Sequence, residues 1–179
     1  LVEQKNNSSV TLGTLGGGGV LSLTTDTTTP DQSFIARILQ MAKLKGADYA
    51  LLEVSSHSIV QKRIKNLAFN VFCFTNLSQD HLDYHKDMET YFHAKLSILD
   101  MLRLDTNIIV NIDDEYGKIF LAKAKDKGFK IETIGFSDMA DVKLRVRRGT
   151  PEIQSIEIFR GKFFYTFQTH LIGAFQAIN

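Results

Sequence analysis

Val71-Phe72-Cys73-Phe74-Thr75-Asn76-Leu77-Ser78-Gln79-Asp80-His81-Leu82-Asp83-Tyr84-His85, with Lys95 ten positions further on, decides how this 179-residue chain reads. A short apolar run ends abruptly in hydrogen-bonding and metal-seeking groups. In an open α/β sheet the carboxyl end of a strand is where ligands sit. The next helical segment is expected from Met88 to Leu102, with an inward stripe of Met88, Phe92, Lys95, Leu99 and Leu102. A lysine in that slot has two readings. Its stem is buried while the ammonium snorkels to the rim, or burial lowers its pKa until a neutral amine exists at working pH. A neutral amine can add carbon dioxide to give a carbamate, a carboxylate-like magnesium ligand on a long arm. The helix pattern leaves both open.

Working outward, strand-like runs recur at Val10–Leu12, Tyr49–Val54, Val71–Phe74, Ile108–Ile112 and Ile131–Ile134. Between them, Phe34, Ile35, Ile38, Leu39 and Ala42 repeat at threes and fours, the signature of a helix face. Thr29-Pro30-Asp31-Gln32 reads as its start, with Thr29 as cap and Pro30 in the first turn, and Gly46 as its stop. A further helix is expected from about Asp114 to Lys127, with Gly128 after it. Strands that read as continuous apolar runs and alternate with helices predict an α/β fold with a mostly parallel sheet flanked by helices.

From Asp141 the pattern changes. Val142, Leu144 and Val146 alternate with Lys143, Arg145 and Arg147, and strand-like runs at 153–159 and 163–167 flank a hairpin connection at Arg160-Gly161-Lys162. This predicts a small antiparallel β appendage on the α/β core. The three basic side chains read as the wet face of an edge strand, which deters edge pairing, in preference to an anion site. The expected organisation is a core over 1–140, a β subdomain over 141–170, and a boundary segment over 171–179. Gly16-Gly17-Gly18-Gly19 is not a phosphate loop, since no Lys-Ser or Lys-Thr follows it; a flexible surface loop is the expectation.

Composition narrows the function classes. With 44% hydrophobic residues the chain can bury a full core, and 21 Lys plus Arg against 20 acidic residues gives no field for nucleic acid. The single cysteine, Cys73, sits in an apolar run and is expected to be a small core hydrophobe in a reducing compartment. No run approaches the length of a membrane span and no export pattern opens the chain, so a cytoplasmic monomer is the expectation. The chain opens at Leu1 and stops inside what reads as the start of a helix, so a piece of a longer protein is expected.

Two further clusters stand at strand ends. Glu53-Val54-Ser55-Ser56-His57 follows an apolar run, and a carboxylate there suits a hard cation such as magnesium. In Asp80-His81-Leu82-Asp83-Tyr84-His85, helical spacing would put His81 and His85 on one face, which suggests zinc. Carboxylates there are as numerous as imidazoles, and a third soft ligand is not evident.

Taken in order, Glu53-Val54-Ser55-Ser56-His57 with Gln61 and Arg63, the string Thr75 to His85, and Tyr91-Phe92-His93-Ala94-Lys95 resemble the central domain of the Mur ligases, best matching members that add the third residue of the peptidoglycan stem. Thr28-Thr29-Pro30-Asp31 and the closing 173–179 segment fit the same order. The resemblance implies a P-loop-type fold and an ATP-dependent ligase that forms an acyl phosphate on the D-glutamate carboxylate of UDP-N-acetylmuramoyl-L-Ala-D-Glu and passes it to a diamino acid, meso-diaminopimelate or L-lysine. It implies that Glu53 holds one magnesium, that His81 and a carbamylated Lys95 hold a second, that Thr28, Thr29, Ser55, Gln61 and Arg63 contact the UDP-muramoyl-dipeptide, and that Asn179 lies beside the ATP adenine. Arg63 suits bidentate recognition of a carboxylate or phosphate.

The pattern also departs from the family's. No phosphate loop of the Gly-Lys-Thr kind is present, Gln79 stands where relatives often carry arginine, and the flanking domains are missing. The isolated chain is therefore expected to be inactive. The competing readings are a folylpolyglutamate synthetase-like ligase, a metal-dependent hydrolase built on Asp80, His81, Asp83 and His85, and a non-catalytic domain.

Overall fold

The computed structural model describes residues 8–79, 82–150 and 152–178, the side chains of 82, 83 and 148–150 excepted. The chain divides into two compact units, Leu1–Leu67 with His85–Met101, and Ala68–Tyr84 with Leu102–Asn179.

In the first unit, strands β1 (Ser9–Gly13) and β2 (Gly16–Gly19) form an antiparallel hairpin. Helix α1 (Gln32–Leu44) then crosses to β3 (Tyr49–Leu52), which lies parallel to β1, giving the order β2-β1-β3. Ile38 and Ala42 of α1 pack on Val10, Leu12 and Leu21, as the three-and-four spacing requires. Helix α2 (Ser56–Val60) follows β3. After α3 (Leu82–His85), helix α4 (Met88–Leu96) continues into a 3-10 turn over Ser97–Asp100.

The second unit holds one six-stranded sheet. β4 (Val71–Phe74), β5 (Asn107–Asn111), β6 (Lys130–Gly135) and β7 (Val142–Thr150) run parallel. β8 (Ile153–Arg160) and β9 (Phe163–Thr169) then add in antiparallel sense. Helix α5 (Glu115–Asp126) crosses from β5 to β6, and a short α6 (Ala174–Ile178) follows β9. Phe120 of α5 is fully buried and stacks on Phe72 and Phe74, ring centroids 5.9 and 4.7 Å away. The Asp141 carboxylate accepts from the Thr133 amide and hydroxyl, which hold its pKa below the usual carboxylate range and pin the entry to β7. The α/β class with a mostly parallel sheet and added antiparallel strands is thus as the sequence pattern predicts.

Several local expectations are corrected. Gly16–Gly19 is a strand, not a loose loop. Gly16 and Gly19 have φ of +90° and +80°, and a Cβ on Gly19 would run into the Ser9 carbonyl oxygen, so glycine lets two backbones approach. The cap of α1 is Asp31, whose carboxylate accepts from the Phe34 amide, and not Thr29; Pro30 thus stands before the cap and not in the first turn. Cys73 is exposed, because alternation along β4 turns Phe72 and Phe74 toward α5 and Val71 and Cys73 away. β7 is not an edge strand, since it lies between β6 and β8; Lys143 pairs with Asp138, Arg147 pairs with Glu157, and Arg145 lies over the Phe159 ring. The helix holding Lys95 ends at Leu96, so Leu102 lies outside it, and Tyr91, Phe92, Ile98 and Leu99 are the buried side chains of that region.

Gly19→Ala tests the hairpin. A loop would accept it; a paired strand at φ +80° should lose about 1–3 kcal/mol of stability, read as a lower Tm.

Candidate functional site

The site grows from the junction between β3 and α2. At its centre Thr29 is fully buried, 0% exposed. Its hydroxyl donates to the Glu53 carbonyl at 2.7 Å and accepts from the Ser55 amide at 3.0 Å, with Ser55 Oγ 3.3 Å away. One side chain thereby closes the segment that precedes α1 onto the end of β3. Ser55 caps α2, its Oγ accepting from the Ser58 amide at 3.3 Å, while Ser58 Oγ donates to the Ser55 carbonyl at 2.6 Å.

Glu53 sits just past β3, exposed, its amide still bonded to the Leu12 carbonyl. Its carboxylate accepts from the Thr14 amide at 2.8 Å, and Thr14 Oγ1 lies 3.1 and 3.0 Å from its two oxygens. Thr14 Oγ1 is also 3.2 Å from Thr28 Oγ1. Gly13 makes room for this carboxylate, since a Cβ there would stand 2.6 Å from Glu53 Oε2. Thr14 escaped the sequence reading; its only signal is its place in the tight turn between Gly13 and the glycine run.

On the far side of α2 the chain turns back. Arg63 Nη1 donates to the Thr29 carbonyl at 2.7 Å and Nε to Gln61 Oε1 at 2.8 Å. The turn is built by reciprocal backbone bonds, Lys62 amide to Ile59 carbonyl and Arg63 amide to Ser58 carbonyl. That is the Schellman geometry, which places its C′ residue in the left-handed region. α1 and α5 end in the same way with Gly46 and Gly128 there, at φ +79° and +83°; α2 uses Lys62, at φ +57°. Arg63 also lines a cleft of about 340 Å3 with Thr24, Thr25, Asp26, Thr27, Pro30, Asp31 and Phe34. Hydrogen bonds from Ser33 and the Phe34 amide hold the Asp31 carboxyl below the usual carboxylate range.

Thus Thr28, Thr29, Glu53, Ser55, Gln61 and Arg63, scattered over 36 positions, belong to one hydrogen-bonded network. Lys95 lies in the same unit. It is half-buried, with Nζ 5.3 Å from the centroid of the Tyr91 ring. His85 is buried, its Nε2 2.7 Å from Ser56 Oγ, so that nitrogen is committed to the fold and the four-residue hydrolase site loses a donor. Asp80, His81, the Asp83 side chain and Asn179 lie outside the described residues. Among the described residues no three His, Cys, Asp or Glu side chains gather as a metal-binding group.

Beside the Thr14 amide that donates to the carboxylate, the atoms around Glu53 that could ligate a cation are carboxylate and hydroxyl oxygens. That set matches a hard cation such as magnesium and not zinc.

Comparison with known proteins places the chain in a family. It belongs to the Mur ligase middle domain family, whose profile matches residues 1–179. A protein of Parabacteroides distasonis named UDP-N-acetylmuramoyl-L-alanyl-D-glutamate--2,6-diaminopimelate ligase is 37% identical over 155 residues, covering 87% of this chain and 30% of that protein. One of the same name from Aquifex aeolicus is 40% identical over 153 residues, 85% of this chain and 30% of that protein. A solved structure of a ligase so named superposes with a TM-score of 0.84 at 24% identity, covering 99% of this chain and 36% of that one. Folylpolyglutamate synthetase from Lactobacillus casei shares the fold at a TM-score of 0.62 and 10% identity, covering 99% of this chain and 50% of that one. The chain spans about 30% of the length of these two curated relatives. Among the described residues no helix is long and apolar enough to cross a membrane.

Lys62→Gly tests the strained turn. Leaving the left-handed region relieves about 1–2 kcal/mol, against about 0.5–1 kcal/mol of added chain entropy. Chemical denaturation should show a net gain of about 0.5–1 kcal/mol; a loss would mean that the Lys62 side chain contributes more than its backbone costs.

Proposed function

We propose that this chain is the central domain of an ATP-dependent ligase of peptidoglycan synthesis, acting in the cytoplasm as a monomer. The ligase would join the D-glutamate carboxylate of UDP-N-acetylmuramoyl-L-alanyl-D-glutamate to 2,6-diaminopimelate. The observation that carries this reading is the single network through Thr28, Thr29, Glu53, Ser55, Gln61 and Arg63. The names of the relatives supply the substrates, and favour diaminopimelate over lysine.

In this reading the substrate carboxylate attacks the γ-phosphorus of ATP and ADP departs. The amine of the diamino acid then attacks the acyl carbon, and phosphate departs as the amide forms. Thr28, Ser55, Gln61 and Arg63 orient the nucleotide-linked dipeptide from the rim of the junction, and the fixed guanidinium faces its anionic groups. Glu53 would hold one magnesium ion, and His81 with a carbamylated Lys95 a second, while Asn179 meets the adenine. Magnesium, when bound, screens the repulsion between a carboxylate and a polyphosphate. Thr29 differs from its neighbours: its hydroxyl is spent inside the fold, so its role is to hold Ser55 and Arg63 in register.

Phosphate release by the full-length protein should require ATP, the UDP-linked dipeptide and 2,6-diaminopimelate together. Equal turnover with L-lysine or with a folate would contradict the substrate assignment. Arg63→Lys should raise KM for the dipeptide about 10-fold, or about 1.4 kcal/mol, because an ammonium cannot hold the Thr29 carbonyl and Gln61 Oε1 at once as the planar guanidinium does. Lys95→Ala should abolish turnover, with partial rescue by a small carboxylate; an unchanged rate would make the lysine merely structural.

A further inference from the structure

His85 is a buried, chemically capable side chain to which the reaction above gives no task. It is 3% exposed, and its partner Ser56 is 2% exposed. The two polar groups satisfy each other at 2.7 Å, which removes the penalty that each would carry alone. A leucine would fill the same volume, but it would not fix one ring orientation; a hydrogen bond through Nε2 does. The oriented imidazole stacks on Tyr91, with ring centroids 4.9 Å apart and planes 20° from parallel. Tyr91 is itself buried, and the ammonium of Lys95, one helical turn further along α4, lies 5.3 Å from the centroid of the same ring. The ring face attracts the free ammonium through its quadrupole; once carbamylated the side chain is an anion, and the ring then supports its methylenes by packing alone.

His85 also stands where α4 is launched. Its carbonyl accepts from the Asp87 amide at 2.8 Å across Lys86, whose φ is +66°, and the Asp87 carboxylate caps α4 by accepting from the Thr90 amide at 2.7 Å. Ser56 follows directly on Ser55, so a continuous series of contacts runs from the Thr29 junction through Ser56, His85 and Tyr91 to Lys95.

We infer that His85 is a positioning residue for Lys95: anchored by Ser56, it fixes the Tyr91 ring on which the lysine rests. The inference deepens the proposed function, since it rests on Lys95 taking part in the reaction. His85 touches neither substrate nor metal in this account; it narrows the range of positions open to the long lysine arm.

The test uses the full-length protein with lysine Cε labelled with carbon-13. The Lys95 methylene signal, assigned by its disappearance in Lys95→Arg, should lie upfield through the Tyr91 ring current. In His85→Leu it should move at least halfway to the position of the other lysines. kcat should fall about 10- to 100-fold while the three KM values stay within about twofold, the pattern of a misplaced group in the transition state. Ser56→Ala releases the imidazole without touching the rings and should shift signal and kcat in the same direction by less, so the inference stays testable if His85→Leu does not fold. Tyr91→Phe should leave the signal upfield and Tyr91→Leu should not. An unmoved Lys95 signal with unchanged kcat in folded Ser56→Ala and His85→Leu overturns the inference while the proposed function stands. Turnover retained by Lys95→Ala would instead overturn the role of Lys95, and with it the functional half of this inference.

Discussion

A single hydroxyl, that of Thr29, holds two otherwise unrelated segments together. It gives its proton to the carbonyl of Glu53 and takes one from the amide of Ser55, in a place that water does not reach. Both partners are backbone groups at the open end of β3, where the ladder with β1 runs out and the Thr29 hydroxyl takes the place of a strand partner. Closing that gap has geometric consequences. The Glu53 side chain is left facing the β1–β2 turn, where Thr14 meets it, and Ser55 is set as the cap of α2. The Thr29 carbonyl in turn becomes the anchor for Arg63.

From there α2, only five residues long, acts as a distributor. Its first turn sends Ser55 toward the junction and Ser56 toward the buried imidazole under α4. Its last turn reverses through Lys62, so that Gln61 and Arg63 return to the same side as Thr29. A lysine in a conformation that favours glycine is a local cost, and it falls between two residues to which the proposed function gives substrate contacts.

Much of this was legible in the sequence. Helix α1, helix α5 and their glycine stops follow from apolar spacing and from the rule that a helix often ends in a left-handed residue, and the antiparallel strands from strict alternation. The residues of the proposed site were singled out because ordered motifs resembled a known family, not because periodicity marked them. What was missed has physical causes. A run of four glycines carries no side-chain pattern, so its pairing with β1 depends on a close backbone approach that only the folded chain reveals. Thr29 read as a helix cap because Thr-Pro-Asp offers two capping side chains, and only the folded chain shows that Asp31 takes the Phe34 amide while Thr29 turns to Glu53 and Ser55. Cys73 read as core because an apolar run does not say which of its faces is covered. The bond between His85 and Ser56, 29 positions apart, has no local signature at all.

The central claim is that the Thr29 hydroxyl clamps the start of α2. Amide hydrogen exchange at Ser55 in Thr29→Val, which keeps the shape and removes the hydroxyl, tests it most directly. Loss of a bond worth about 1.4 kcal/mol or more should speed exchange of that amide about 10-fold or beyond, with the buried core of β1 unchanged. Ser55 protection equal to that of the unsubstituted protein would contradict the account.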